Sequence, residues 1–425
     1  MDPLRHVKPA VRAVAAYTLE EHEASVKLNQ NENPRDLPEA LKRRVLDRAL
    51  VRPWSRYPAF DPKELVQALA RFSGWRENGI LAGNGSNELI EALLLVIVGA
   101  GTKVVIPEPT FTLYALLTTI LGGKAVRVPM SRKAGRSSSR RPAAASLGRF
   151  DPGPESPNPS GPANLSDPSD PSGHANPSDP PDPSHPSDPA GPFVYDVEAI
   201  LEARRASAAS VTIVCSPNNP TGTSLALADV ERLCRDDDGL VVVDEAYHEF
   251  AGVSVVPLLE RHANLMVLRT FSKAMALAGL RIGYLLASPE LVREVNKARL
   301  PYNVNFFSQL AALEALQEKE VLEAGVRVLV DERERLLDRL RDVPGVRALP
   351  SDANFFLLEL LSADPKAVFD GLLRRGVLVR DVTSYPQLAR CLRVSVGSAD
   401  ENEAFLHALG TALFEAGSDR TVGRA

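Results

Sequence analysis

The sequence predicts an α/β fold, in which a mostly parallel-sheet large domain is followed by a smaller α+β domain, and three observations predict it. Short runs that are β-branched and apolar on both faces recur at 104–106, 211–214, 240–243 and 265–268. They are too short for helices and read as strands covered on both sides. Helical patterns, for instance 87–98 and 225–235, separate them as in successive strand-helix-strand units. Beyond residue 300 the pattern changes: a long amphipathic stretch at 306–343 precedes short strands at 354–360 and 391–396.

Taken in order, residues 1–50 carry no sheet signature of their own and are expected to pack with the small domain. Residues 51–130 and 193–300 form the large domain, 301–417 the small one and 418–425 a flexible tail. The large domain is interrupted at 131–192, which holds 15 of the 34 prolines and four Ser-Asp-Pro triplets, and has no Val, Ile, Met, Phe, Tyr or Trp from Asp151 to Pro192. Such a segment cannot bury enough apolar area to offset its ordering entropy, so it is expected to be disordered. Excising it joins Met130 to Phe193 in continuous α/β sequence.

Composition removes several classes of function. With 49 basic against 54 acidic residues and a net charge of −5, no global field attracts nucleic acid or an anionic membrane. The longest apolar run, 89–99, is far below the roughly 20 residues that span a bilayer. Three scattered cysteines, Cys215, Cys234 and Cys391, make neither a disulfide framework nor a metal site. A cytoplasmic protein is expected.

In open α/β sheets ligands bind beyond the carboxyl ends of the strands, and there the chemistry gathers. Cys215-Ser-Pro-Asn-Asn-Pro-Thr-Gly222 follows one strand, Asp244-Glu-Ala-Tyr247 the next and Arg269-Thr-Phe-Ser-Lys273 a third, with Arg281 eight residues on. A lysine amine condenses with a carbonyl cofactor, a carboxylate holds a protonated pyridine nitrogen, and amide or hydroxyl donors bind a ring oxygen. Gly83-Asn-Gly-Ser-Asn-Glu88 supplies a phosphate anchor, since its glycines admit close backbone approach and the next helix offers its first amides. Ser272 and Arg281 add a hydroxyl and a cationic fork. Phe111 is placed to stack on a ring.

These motifs resemble the pyridoxal-phosphate aminotransferases of fold type I and, within them, the histidinol-phosphate aminotransferases. The likeness extends to Lys27-Leu-Asn-Gln-Asn-Glu-Asn-Pro34, Arg56-Tyr-Pro58, Pro301-Tyr-Asn-Val-Asn305, Ala353-Asn-Phe355 and Leu392-Arg-Val-Ser-Val-Gly397. It implies that Lys273 is the covalent and proton-carrying residue on pyridoxal 5'-phosphate, that Asp244 pairs with the pyridine nitrogen, and that Asn219 and Tyr247 bind the ring oxygen. It implies phosphate contacts from Ser86, Asn87, Ser272, Arg281 and, across a homodimer, Tyr57. Arg393 matches the arginine that binds the glutamate carboxylate, Arg380 one that grips substrate phosphate, and Tyr17 and Asn354 residues of the substrate wall. Ala16 and Asn87 depart from residues common in the family, where Pro and Asp are frequent. The reaction implied is amino transfer between L-histidinol phosphate and 2-oxoglutarate. An aromatic amino-acid aminotransferase or a phosphothreonine decarboxylase on the same scaffold is the alternative, and a non-catalytic regulator a more distant one.

Overall fold

The computed structural model describes residues 2–16, 20–133, 191–236 and 239–422. The chain divides into two compact units, Met1–Arg132 with Pro192–Ala425, and Lys133–Gly191. Only the two end residues of the second are among those described, so the expected disorder of the Pro-rich segment lies outside the described residues.

The first unit is built on fourteen described strands: β1 (Val26–Leu28), β2 (Ile80–Gly83), β3 (Lys103–Glu108), β4 (Lys124–Pro129), β5 (Ser131–Arg132), β6 (Phe193–Val194), β7 (Val211–Cys215), β8 (Leu240–Asp244), β9 (Leu265–Thr270), β10 (Gly283–Ala287), β11 (Val346–Ala348), β12 (Phe355–Leu360), β13 (Val377–Asp381) and β14 (Cys391–Ser395). Seven of them form one sheet in the order β2-β10-β9-β8-β7-β3-β4, parallel except where β10 meets its two neighbours. Alternate residues of its central strands serve two cores. Val241 and Val243 pack with helices Glu39–Leu50, Lys63–Ser73, Val197–Ser207 and Leu227–Arg235. Val242 packs on the other side with Gly85–Ile97 and Leu113–Ile120. Covering on both faces is why these strands are apolar throughout, and why their sequence lacks alternation.

A second, five-stranded sheet runs β1-β13-β14-β12-β11 and is covered by helices Lys319–Arg341, Pro365–Arg374 and Ala399–Val422. Its edge corrects the expectation that residues 1–50 lack a strand. That segment contains β1, whose three residues pair in parallel with Val377, Leu378 and Val379. The strand is too short for its pattern to be visible, and its partner lies some 350 residues away. The rest of the segment does not stay with the small sheet, since Leu41, Val45 and Ala49 enter the core of the large one. The amphipathic stretch 306–343 is two helices, Phe306–Gln317 and Lys319–Arg341. The first buries Leu310 to Ala315 in the large core, and the second begins there at Leu322 before entering the small core at Val326. The last helix runs through Val422, so helical backbone occupies residues 418–422, where a flexible tail is expected from composition. Residues 423–425 lie outside the described residues.

The folded part also extends two residues past Met130. Ser131 and Arg132 pair antiparallel with Val194 and Phe193. Arg132 binds both oxygens of Glu359 on β12, at 2.8 and 3.1 Å, and its guanidinium lies over Phe193. Met130 and Phe193 pack with Leu357 and Cys391 of the small sheet. Among the described residues no helix is long and apolar enough to cross a membrane.

The β5–β6 ladder holds Arg132 opposite Phe193, the geometry that a two-residue Asn-Gly turn closes. Replacing 133–192 by Asn-Gly is expected to leave the thermal midpoint within about 4 °C and cofactor binding intact. A larger loss in calorimetry would assign the replaced segment a share of the stability.

Candidate active site

Four strand ends and one extended segment build the site. Asp244 closes β8, a strand buried from Val241 onward, so its carboxylate sits at the sheet's edge yet is 4% exposed. It accepts from the Tyr114 hydroxyl at 2.6 Å and the Ala246 amide at 3.1 Å. Burial raises its pKa to about 6 against the pull of those donors. Tyr247 comes three residues later, buried, with its oxygen accepting from Asn31 Nδ2 at 3.0 Å and its ring edge-on to Phe355.

Lys273 lies just beyond β9. Its amine donates to the Gln30 carbonyl at 2.8 Å and lies 6.0 Å from the Tyr247 ring centroid. Desolvation first, and then the charge of Arg393, lower its pKa from 10.5 to about 7. An amine at its ordinary pKa would be neutral only about once in three thousand at pH 7, and this lowering makes a far larger share of Lys273 neutral and nucleophilic. Ser272 accepts from Arg281 Nη1 at 3.1 Å. Arg281 itself has φ +50° and also donates to the Ala278 carbonyl.

The anion end is at helix Gly85–Ile97, whose N-cap Asn84 makes no side-chain cap bond. The amides of the first turn are thus left for a ligand. Gly85 has φ +79°, a backbone that side chains rarely adopt, and a Cβ there would also lie 2.6 Å from Arg281 Nη2, so the guanidinium would have to shift. Gly283 lets the Ser86 amide approach β10, since a Cβ at 283 would meet that nitrogen at 2.5 Å. Ser86 is buried and Asn87 exposed. Phe111 is half-buried, edge-on to Tyr114 at 5.6 Å.

The turn after β7 links this shell to the small sheet. Asn218 is fully buried and clamps its own loop, donating to the Pro109 carbonyl and Thr221 and accepting from Thr110. Its neighbour Asn219 is thereby presented outward, and its Oδ1 accepts from Arg393 Nη1 at 2.6 Å. Arg393, on β14, is 7% exposed, donates to the Asn29 carbonyl at 2.5 Å and lies over Phe355. Arg380 is directly opposite it on β13, which puts two guanidinium side chains on one face of the sheet. Asn354 is buried and donates to the Asn31 carbonyl at 3.1 Å.

The structure therefore gathers Asp244, Tyr247, Lys273, Ser272, Arg281, Asn219, Arg393 and Asn354, directly or through the 29–31 segment, with Ser86 and Phe111 at the rim. Tyr57 stands apart, 80% exposed and stacked on Tyr302 at 4.5 Å. Tyr17 lies outside the described residues. Two contributors are assigned no role from the sequence. Asn31, at φ +54°, uses the tolerance of asparagine for left-handed backbone, and although it lies in the 27–34 motif, nothing there sets it apart from the asparagines beside it. Tyr114 leaves a fainter sign, because it stands three residues after Phe111, close enough across the start of the helix for the two rings to meet edge-on.

This donor set fits a phosphorylated pyridine aldehyde. A desolvated amine meets the carbonyl, a buried anion suits a protonated ring nitrogen, and a glycine-lined helix terminus beside Arg281 suits a phosphate.

Comparison with known proteins agrees. The sequence profile of the aminotransferase class I and II family matches residues 23–138 and 186–409. Histidinol-phosphate aminotransferase of Chlorobium phaeovibrioides is 35% identical over 410 residues, covering 96% of this chain and 97% of the relative. Among solved structures, histidinol-phosphate aminotransferase from Sinorhizobium meliloti in complex with pyridoxal-5'-phosphate superposes with a TM-score of 0.73 at 23% identity, covering 96% of this chain and 98% of the other. L-threonine-O-3-phosphate decarboxylase from Porphyromonas gingivalis shares the fold, with a TM-score of 0.68 at 21% identity over 91% of this chain and 99% of the other.

The lowered pKa of Lys273 has a measurable sign. A lysine is reactive above its pKa, so covalent capture of an aldehyde by cofactor-free protein should rise through pH 7 and level off by about pH 8. A rate still climbing at pH 10 would place the reactive amine in an ordinary solvated setting.

Proposed function

The chain belongs to the aminotransferase class I and II family and, within it, to the histidinol-phosphate aminotransferases, and from that membership we propose that it moves an amino group between L-histidinol phosphate and 2-oxoglutarate in histidine biosynthesis. It works with pyridoxal 5'-phosphate. When bound, this group supplies a carbonyl for the amine and a ring that takes up electron density.

The roles of the chain's own residues come from their settings. Lys273, its pKa lowered by burial to about 7, serves as nucleophile and afterwards as the base and acid that moves a proton. Asp244 holds the ring nitrogen, whose positive charge would in turn keep this buried carboxylate ionised. Asn219 and Tyr247 hold the ring oxygen, and Phe111 covers the ring. The amides of Ser86 and Asn87, with Ser272 and Arg281, bind phosphate. Tyr57 reaches a phosphate only from the partner in a homodimer. An exposed aromatic cluster supports that reading: Tyr57 and Phe60 both pack on Tyr302, and all three are at least 40% exposed, as apolar groups at an association surface are. The reading places the enzyme in the cytoplasm.

One observation carries the substrate assignment. Arg380 and Arg393 are directly opposed on neighbouring strands, an arrangement that like charges disfavour unless an anion lies between or above them. Glutamate offers a carboxylate there and histidinol phosphate a phosphate, and guanidinium forks bind both. Tyr17 and Asn354 complete the substrate wall in this reading.

Single-turnover rates of the two half-reactions test it. Arg393→Ala is expected to slow both, by roughly 2 to 5 kcal/mol in transition-state terms. Arg380→Ala should impair the phosphorylated substrate at least as much as glutamate. A wild-type preference for phenylalanine or tyrosine over histidinol phosphate would replace this reading with an aromatic aminotransferase. Release of carbon dioxide from phosphothreonine would replace it with a decarboxylase. Asp244→Asn should fold and lose most turnover, and Lys273→Ala should abolish it while still retaining the cofactor without a covalent link.

A further inference from the structure

Tyr114 is a large polar side chain in direct contact with the site that the mechanism leaves unused. It is 0% exposed, on the first turn of helix Leu113–Ile120, and its hydroxyl donates to Asp244 Oδ2 at 2.6 Å. The other carboxylate oxygen accepts the Ala246 amide at 3.1 Å. Each oxygen of Asp244 thus has one donor, one from the chain's own turn and one from a different element. The turn's amide alone would leave the carboxylate free to rotate about its Cβ–Cγ bond. Two donors from different directions fix its plane.

We propose that Tyr114 is a positioning residue, whose buried hydroxyl locks the orientation of Asp244 and keeps it an anion facing the cofactor's ring nitrogen. The proposal rests on the assignment of Asp244 to that nitrogen. A phenol in this place can serve an ionised carboxylate, which has only acceptors, as a pure donor. Protonating the oxygen that Tyr114 binds would cost that bond its donor, since the phenol would have to turn from donor to acceptor or toward the Cys215 thiol beside it.

The other groups that face this carboxylate do not supply that donor. Glu245, next in the chain, is itself a carboxylate and is paired with Arg269 at 2.9 Å. Tyr195 gives its hydroxyl to the Cys215 carbonyl, and the Cys215 thiol on β7 points to the Pro217 carbonyl. Tyr247 is engaged by Asn31. Burial is the largest influence on Asp244 and pushes it toward the neutral acid, while the Tyr114 hydroxyl is the first of those pulling the other way. A hydrogen bond to a charged group is worth about a ten- to hundredfold change in ionisation ratio.

The test is Tyr114→Phe, which keeps the ring and removes only the hydroxyl. In cofactor-free protein with carboxyl-labelled aspartate, carbon NMR reads the Asp244 titration, identified by its absence in Asp244→Asn. The expected result is a midpoint about one to two pH units higher than in wild type. In the loaded enzyme, kcat should fall while KM for both substrates stays within about twofold, because Tyr114 is out of reach of substrate. Thr118→Val is the control: it removes another fully buried hydroxyl of the same helix, one that bonds only the Tyr114 carbonyl at 2.7 Å, and should leave the midpoint unmoved. An unchanged midpoint in Tyr114→Phe, or an equal shift in Thr118→Val, overturns the proposal. If Asp244→Asn itself keeps normal turnover, the assignment of Asp244 falls instead, and the apoprotein titration still reports the Tyr114 bond separately.

Discussion

The structure has to bury an amine and a carboxylate in one site and keep each in a useful protonation state. Desolvation drives both toward neutrality: Lys273 is brought down to about 7 and Asp244 up to about 6. For the lysine that shift is an advantage, since only the free amine attacks a carbonyl. For the aspartate it is a liability, since only the anion pairs with a protonated ring nitrogen. The surroundings divide accordingly. Lys273 is met by one carbonyl and repelled by Arg393, whereas Asp244 is met by two donors.

The segment between β1 and the first long helix makes this division possible. Its carbonyls at Asn29 and Gln30 accept from Arg393 and Lys273, the Asn31 side chain holds Tyr247, and Asn33 donates to the Ala274 carbonyl. β1 itself belongs to the small sheet. One short extended stretch therefore ties the sheet that carries Arg393 and Arg380 to the turn that carries Lys273. Asn31 is the pivot: with its left-handed backbone, the main-chain amide donates to Ser395 Oγ while the side-chain Nδ2 reaches Tyr247.

This arrangement separates two kinds of specificity. The proposed cofactor shell comes from the carboxyl ends of the large sheet's strands and the helix terminus at Gly85, all rigid and deeply packed. The proposed substrate contacts come from β13, β14 and the N-terminal segment. A change of substrate on this scaffold would therefore fall on the small sheet and the N-terminal segment, leaving the large sheet untouched.

Local chemistry in the chain was enough to determine the parallel large sheet, the strand-end positions of Asp244, Asn219 and Lys273, and the cofactor class. Each depends on residues near in sequence: an apolar run sets a strand, and the residues just after that run stand at the sheet's edge. Tertiary structure alone decided the rest. β1 finds its partner at Val377–Val379, Phe306–Gln317 sides with the large core, Ser131 and Arg132 join the fold through Glu359, and Tyr114 reaches Asp244. These contacts join residues tens to hundreds of positions apart, and their energy comes from burial and from matching donors to acceptors. Burial leaves a periodic trace that marks an apolar face but not the face it meets, and a donor matched to an acceptor leaves none, so only the assembled core shows which of many asparagines, tyrosines and arginines it has brought together.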